Sequence, residues 1–270
     1  MLYRDVSTIQ PLRPQSGVCA ALPKARRCEI LRAMPSYAKP ALRLQTTTLW
    51  EYPSQHYGAA VQGDSRYIGA TPSHVIWNIL QRYTRPNDFI VDPMCGSGTT
   101  LDVAQDLGRR AEGFDISPCR ADICAADARA LPCADASVDL LFVDPPYGDH
   151  IHYSDAAGCI GKLSALEDDY LAALDDVFRE AHRILRPRRY IAVYICDFFA
   201  KKRGFAPLGA AVMWMLGQYF RPVDHICVVR HNKALKKANF HQAAEDENFF
   251  LRGFNHLLIA KKMPQDAPQG

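Results

Sequence analysis

Three apolar runs in the first half of the chain each stop at an aspartate, and this pattern most constrains the fold. Phe89-Ile90-Val91 runs into Asp92, and Ala111-Glu112-Gly113-Phe114 into Asp115. Val138 to Val143, interrupted by Asp139, runs into Asp144. Short apolar runs separated by stretches long enough for helices read as buried strands of a parallel sheet. Ligands of open parallel sheets bind outside the carboxyl ends of the strands. Three acids in register there predict an α/β fold, doubly wound and mostly parallel, with a site along one sheet edge.

The turn after the first run is Asp92-Pro93-Met94-Cys95-Gly96-Ser97-Gly98-Thr99-Thr100. Strand, glycine-rich turn and helix are the parts of a nucleotide-type binding loop, and Gly96 and Gly98 let the backbone approach a ligand. The pattern is neither GxGxxG nor a Walker loop with its lysine, which disfavours a pyrophosphate or phosphate ligand. A ligand with a charged amino-acid end fits better, with Asp92 available to its ammonium. Asp115, 17 residues after Gly98, suits two ribose hydroxyls, or else caps a helix over 118–124. Asp127 is placed to accept from an adenine amino group.

Val143-Asp144-Pro145-Pro146-Tyr147-Gly148 closes the third run. The two prolines lack N–H groups and have fixed φ, so they end the ladder stiffly. Asp144 offers acceptors and Tyr147 a flat face, which together suit a planar group bearing an exocyclic amine. The plainer alternative is a strand-ending turn that happens to carry Asp and Tyr.

Elsewhere the spacing predicts helices from about 73 to 85, from near 98 to 107, over 168–185 and over 205–220, with strands at 190–196, 222–230 and 255–261. Thr71 or Ser73 is the expected cap of the first helix, with Pro72 in its first turn. The apolar face of 168–185 reads as core and nothing more. Residues 46–69 are rich in aromatic side chains and read as a loop that lines a pocket or covers the sheet edge. Residues 148–155, with Tyr153, read as an active-site loop. The proline-rich residues 1–45 read as a basic arm with one short helix over 24–34, 46–262 as the main domain, and 263–270 as a tail.

The net charge of +3 hides an uneven distribution. Residues 1–45 carry eight Lys/Arg against two acids, 46–181 nine against twenty-one, and 182–241 twelve against two. Basic segments flanking an acidic middle are an expected footprint for a polyanion. Arg230, Asn232, Lys233, Lys236 and Lys237 have the composition of a nucleic-acid contact loop, in a basic insertion near 230–250, or of a solvated loop between strands. Nine cysteines without a CxxC pair disfavour zinc or disulfides, and no metal is expected. No run reaches the ~18 apolar residues of a membrane span, and the first residues lack a secretory core, so a cytoplasmic protein is expected.

The chain resembles the S-adenosylmethionine-dependent amino-methyltransferases of the DNA N6-adenine/N4-cytosine type. The resemblance covers about residues 46–200 and rests on the Asp92–Thr100 loop followed by Asp144-Pro-Pro-Tyr. It implies a Rossmann-like, seven-stranded-type methyltransferase sheet and S-adenosyl-L-methionine as cofactor. It implies cofactor contacts from Asp92, Met94, Cys95, Gly96, Gly98, Thr99, Asp115 and Asp127, and from Thr71 in the segment Gly69-Ala-Thr-Pro. Asp144, Pro145, Pro146 and Tyr147 would be catalytic, with Asp144 and the Pro145 carbonyl holding the amine and Tyr147 stacking on an extruded base. Tyr153 and the 230–237 residues would contact the nucleic acid. Methylation of DNA at adenine N6 is expected ahead of cytosine N4. The alternatives are methylation of a base amine in RNA and an inactive nucleic-acid-binding subunit. The oligomeric state stays open, a homodimer included. The recognition segment is short for a sequence-specific enzyme.

Overall fold

A computed structural model describes residues 41–264, apart from 65, 68, 150, 201–202 and 232–233. The expected arm over 1–40 with its helix, the tail beyond 264, and Asn232 and Lys233 lie outside the described residues. All described residues fall in one compact unit, Lys39–Gly270.

Ten strands and five α-helices are described. In chain order they are β1 (Leu49–Trp50), α1 (Ser73–Tyr83), β2 (Phe89–Asp92), α2 (Thr99–Asp106), β3 (Arg110–Asp115), β4 (Ile123–Ala125) and β5 (Val138–Val143). Then come α3 (Asp168–Ile184), β6 (Leu185–Ile195), β7 (Phe198–Ala200), β8 (Gly204–Ala206), α4 (Leu208–Tyr219), β9 (Arg221–Val229), α5 (Ala238–Asp246) and β10 (Phe254–Lys261). Eight strands form one sheet in the order β4-β3-β2-β5-β6-β10-β9-β1, and β7 and β8 form a separate hairpin. Within the large sheet only β10 runs antiparallel to its neighbours. The doubly wound, mostly parallel, Rossmann-like sheet is therefore present, with one short strand added at its edge.

The topology itself places a crevice. The chain builds outward from β2 to β3 and β4, then crosses back to β5 on the other side of β2. The carboxyl ends of β2 and β5 thus diverge at a topological switch point, where a ligand can enter. Asp92 and Asp144 stand at those two ends.

Strand β5 shows why the sheet is three-layered. All six of its residues are buried. Leu141 and Val143 pack with Tyr170, Leu174 and Phe178 of α3 and with Val212 of α4. Leu140 and Phe142 face the other way, onto Val75, Ile76 and Ile79 of α1. Period-two alternation sends each set to its own helical layer. Each such side chain contributes on the order of 1.5–3 kcal/mol by leaving water.

Asp139, the charge inside that run, is 2% exposed. In the β5–β6 ladder it alone stands between the pairs Val138↔Leu185 and Leu140↔Tyr190, so residues 186–189 bulge opposite it. The bulge absorbs Pro187 and brings Arg186 to 2.7 Å and Arg189 to 3.1 Å of the Asp139 carboxylate. Burial works against ionisation of that carboxylate. The Phe89 N–H (2.9 Å) and the two arginines outweigh it and hold the carboxyl below its usual range.

Several expectations need correction. No helix forms over 118–124, where the chain turns and then enters β4. Helix α4 starts at Leu208, because 204–206 pair as β8 and Pro207 precedes the first turn. Neither Thr71 nor Ser73 caps α1 through its side chain. Ser73 is engaged with Gln55 and Tyr57 instead, and Thr71 with Asp144. The loop over 46–69 contains the edge strand β1. Trp50, Tyr52 and Tyr57 are buried there, while Tyr67 lines a pocket.

Candidate active site

The glycine turn is built from its own hydrogen bonds. Gly96 and Gly98 have φ of 44° and 79°, the left-handed region that side chains rarely adopt. The Cys95 N–H donates to the Phe114 carbonyl (2.8 Å), and the Gly96 N–H to the Asp115 carboxylate (3.0 Å). The Met94 N–H (3.1 Å) and the Thr100 hydroxyl (2.6 Å) donate to separate oxygens of Asp92. The Asp92 carboxylate is 4% exposed, and burial raises its pKa to about 7 against the pull of those donors.

A strap that the sequence did not signal holds the turn from outside. Arg120 donates to the carbonyls of Ser97 (3.2 Å) and Gly98 (3.3 Å) and pairs with Asp102 and Asp122. A Cβ at Gly98 would lie 2.4 Å from its guanidinium. Above the turn, the Gly63 N–H donates to Asp102 (2.6 Å) and the Asp64 N–H to the Ser97 carbonyl (2.8 Å). Those two bonds bring Tyr67 over Gly96, where a Cβ would meet its ring at 2.8 Å.

Two cavities open beside this turn. One, of about 620 Å³, is lined by Tyr67, Met94, Asp115, Ile116, Asp127 and Tyr153, among others. The other, of about 690 Å³, is lined by Thr71, Asp92, Cys95, Gly96, Thr99, Pro145, Tyr147 and Arg230, among others. Asp144 belongs to both, as do Tyr67, Met94 and Tyr153. In the first cavity Asp127 is bonded to Arg129 (2.9 and 2.6 Å), whose guanidinium holds its carboxyl below the usual range. Asp115 also accepts from the Ser117 N–H (2.9 Å).

Asp144 is half-buried, and the surface it keeps opens onto these cavities. The Tyr147 hydroxyl donates to its Oδ1 at 2.7 Å, and the Thr71 hydroxyl makes a short bond to its Oδ2. Burial raises its pKa to about 7 despite both donors. Burial, with the Asp144 charge beside it, pushes the Tyr147 phenol well up. The double-proline turn is pinned from below by the Tyr170 hydroxyl, which donates to the Pro146 carbonyl at 2.7 Å. The face of α3 is therefore not only core. Tyr170 has the helical spacing of a core residue, and nothing local announces its hydroxyl.

The basic residues divide. Arg230 lies where the second cavity meets a wider cleft, with its guanidinium 2.8 Å from Cys196 Sγ. Lys236 lines that cleft, and Lys237 is exposed at the start of α5. Tyr153, expected against nucleic acid, lines both cavities instead of the cleft, and burial pushes its phenol up to about 12. Among the described residues no group of His, Cys, Asp and Glu is arranged to hold a metal ion. No helix among them is long and apolar enough to cross a membrane.

Residues 32–126 match the family of DNA methylases. The match spans α1, the glycine turn and Asp115. Two curated relatives are similar over shorter stretches. The type II methyltransferase M1.MboII of Moraxella bovis is 35% identical over 72 residues, 26% of this chain and 28% of that protein. The type II methyltransferase M2.LlaDCHI of Lactococcus lactis subsp. cremoris is 46% identical over 44 residues, 16% of each. The chain thus spans well under a third of the length of either relative. Among solved structures, a SAM-dependent methyltransferase of Methanosarcina mazei is 15% identical with a TM-score of 0.45, covering 68% of this chain and 97% of that one. TrmN of Thermus thermophilus is 18% identical with a TM-score of 0.48, covering 73% and 50%.

Proposed function

We propose that this chain is an S-adenosylmethionine-dependent DNA amino-methyltransferase, acting on adenine N6 in preference to cytosine N4. The observation that carries this reading is the position of Asp144, on the wall shared by two adjoining cavities. The first cavity fits an adenosyl group in chemistry: Asp115 for ribose hydroxyls, Asp127 for an amino group, and Ile116 and Tyr67 as apolar and aromatic walls. The second, floored by the glycine turn, leads to Asp144, Pro145 and Tyr147. The match to DNA methylases over 32–126 supports the same reading.

S-adenosylmethionine supplies an electrophilic methyl group. The chain's own residues have to present a nucleophile to it. An exocyclic amine is a poor nucleophile, because its lone pair is delocalised into the ring. Asp144 and the Pro145 carbonyl accept its two N–H bonds and turn the lone pair out of the ring plane. Positioning of this kind contributes several kcal/mol. To accept the amine, Asp144 releases Thr71 or Tyr147 from one oxygen, and the freed carboxylate then takes the proton that the methylated nitrogen sheds. The base reaches the site by extrusion from the duplex, at a cost of a few kcal/mol that stacking on Tyr147 offsets. Arg230 and Lys236, which line the cleft, would meet phosphates.

The test is methyl transfer from labelled S-adenosylmethionine to mixed-sequence duplex DNA and to tRNA, followed by digestion and mass identification of the nucleoside. N6-methyladenine from DNA is expected. Label in tRNA alone would overturn the DNA assignment, and N4-methylcytosine would overturn the preferred base.

A further inference from the structure

The edge of the sheet opposite the site has a charge pattern of its own. Arg110 opens β3, and its N–H donates to the Asp88 carbonyl (3.0 Å), in the turn that also holds Arg85. Asp88 pairs with Arg189 of β6 (3.2 Å), and Arg189 and Arg186 share Asp139 of β5. The Arg188 N–H donates to the Lys262 carbonyl (2.7 Å) just past β10, and Lys261 stands opposite Arg221, the first residue of β9. A row of basic side chains therefore follows the ends of six neighbouring strands, from β3 to β9. At the usual spacing of strands the row is about 24 Å long. The basic segment 182–241 thus divides in the fold, part of it here and Arg230 and Lys236 at the cleft.

The acids in this row do not neutralise it. Asp88 and Asp139 keep 13% and 2% of their side-chain surface and are taken up by Arg186 and Arg189. Asp135 is paired with Arg183 (2.5 Å). Asp224, exposed on β9, is set against Arg85, Arg188 and Arg221, which are exposed as well and have no acidic partner among the described residues. Arg110 and Lys261 lie over the rings of Phe89 (5.5 Å) and Tyr190 (5.2 Å), contacts that leave their charge in place. Arg188 sits in the β6 bulge with φ of 67°, a conformation that suits glycine or asparagine. A long charged side chain kept at such an exposed position points to a use outside the fold.

We propose that this edge is a second docking face for duplex DNA, remote from the catalytic edge, with a phosphate backbone lying along the row from Arg110 to Arg221. Guanidinium groups match phosphate oxygens two at a time. About 24 Å of duplex axis carries ~14 phosphates, whereas a small anion would occupy one point of the row. A membrane surface would call for apolar side chains to insert. Among the described residues, Val223 is the one exposed large apolar side chain on these strand ends. Strand β5 is six residues long, which sets the two edges about 20 Å apart. Duplex DNA bends over a length of about 500 Å, so one short duplex does not serve both edges, and the chain would hold two segments at once. The choice of DNA over RNA rests on the reading of the catalytic site. The docking of a phosphate backbone does not.

The test counts duplexes of ~12 base pairs bound per full-length chain, by sedimentation at ~50 mM salt without cofactor. Wild type is expected to bind two. Arg85→Gln/Arg188→Gln/Arg221→Gln is expected to weaken one of the two events at least 10-fold. The salt slope of that event should fall by about 0.9 for each arginine removed, while kcat for methyl transfer to the short duplex stays within 2-fold of wild type. Should the triple variant fail to melt cooperatively, Arg188→Gly, which relaxes the positive φ, is expected to weaken the same event at least 3-fold. Equal binding in wild type and variant would overturn the proposal. So would tRNA or phosphatidylserine vesicles that bind wild type more tightly than the duplex does and lose that binding in the variant. One duplex on wild type and none on the variant would uphold the amino edge and sink the DNA reading of the catalytic edge instead.

Discussion

The two sides of Asp144 are built in different ways. On one side, the glycine turn and the acids Asp92, Asp115 and Asp127 come from residues 92–127, close together in the chain and tied largely by their own backbone, with Tyr67 and Tyr153 closing the cavity from further off. On the other, the cleft is assembled from segments as distant as Tyr52 and Asn255, brought together by β10 entering between β6 and β9. The first side is rigid before any ligand arrives: Gly96, Cys95 and Met94 have all committed their N–H groups. The second keeps open space. A site that must hold one invariant cofactor suits the first construction. One that must admit and test a large partner suits the second.

The sharpest way to break this comparison is Asp144→Ala. It should lower methyl transfer at least 1000-fold while changing cofactor affinity less than 3-fold by calorimetry. A comparable loss of cofactor binding would mean that the two sides are not separate. Next is Gly98→Ala. It places a side chain at φ 79° and against Arg120, a strain on the order of 1–3 kcal/mol. Cofactor affinity should fall by about 5- to 100-fold, with the affinity for duplex DNA unchanged.

A third test uses pH. With Asp144 raised to about 7, kcat/KM should rise nearly 10-fold per pH unit below 7 and flatten above it. The stability linkage has the opposite sense. The folded carboxyl keeps its proton up to about 7, whereas the unfolded one loses it near 3.8. Asp144 therefore makes stability fall as pH rises through that window. Asp144→Asn should be more stable than wild type at pH 8, by on the order of a few kcal/mol, and the gain should vanish towards pH 4. Thermal melts at the two pH values check it. The smallest effect is expected from Tyr170→Phe, which removes one hydrogen bond under the Pro146 turn and costs about 1 kcal/mol. It should lower kcat several-fold without changing cofactor affinity.

The same contrast explains what could be read from the sequence. Strands β2, β3 and β5, their terminal acids and the glycine turn are written in contiguous residues, and their relation follows from the periodicity of buried strands. Strand β4 was not legible, because Cys124 and Ala125 are exposed and three residues carry no alternation. Strand β8 overlaps the expected helix over 205–220, and β7 carried no reading of its own. The Thr71 to Asp144 bond joins residues 73 apart and competes with an ordinary capping role that the sequence favours. Asn255 and Arg120 carried no local signal. One lies in a strand that reads as core, and the other in a turn with no periodicity.

The pair of hydroxyls on Asp144 has a further consequence for turnover. On the proposed reaction a substrate amine has to displace one of them, which slows its arrival. After reaction the nitrogen keeps one N–H fewer, so it has a weaker claim on the acceptors than the substrate had. Thr71 or Tyr147 can then return to its oxygen as the product leaves. On the proposed reaction, the competitor that delays binding also works against product inhibition, and the enzyme discriminates between a base it has already marked and one it has not.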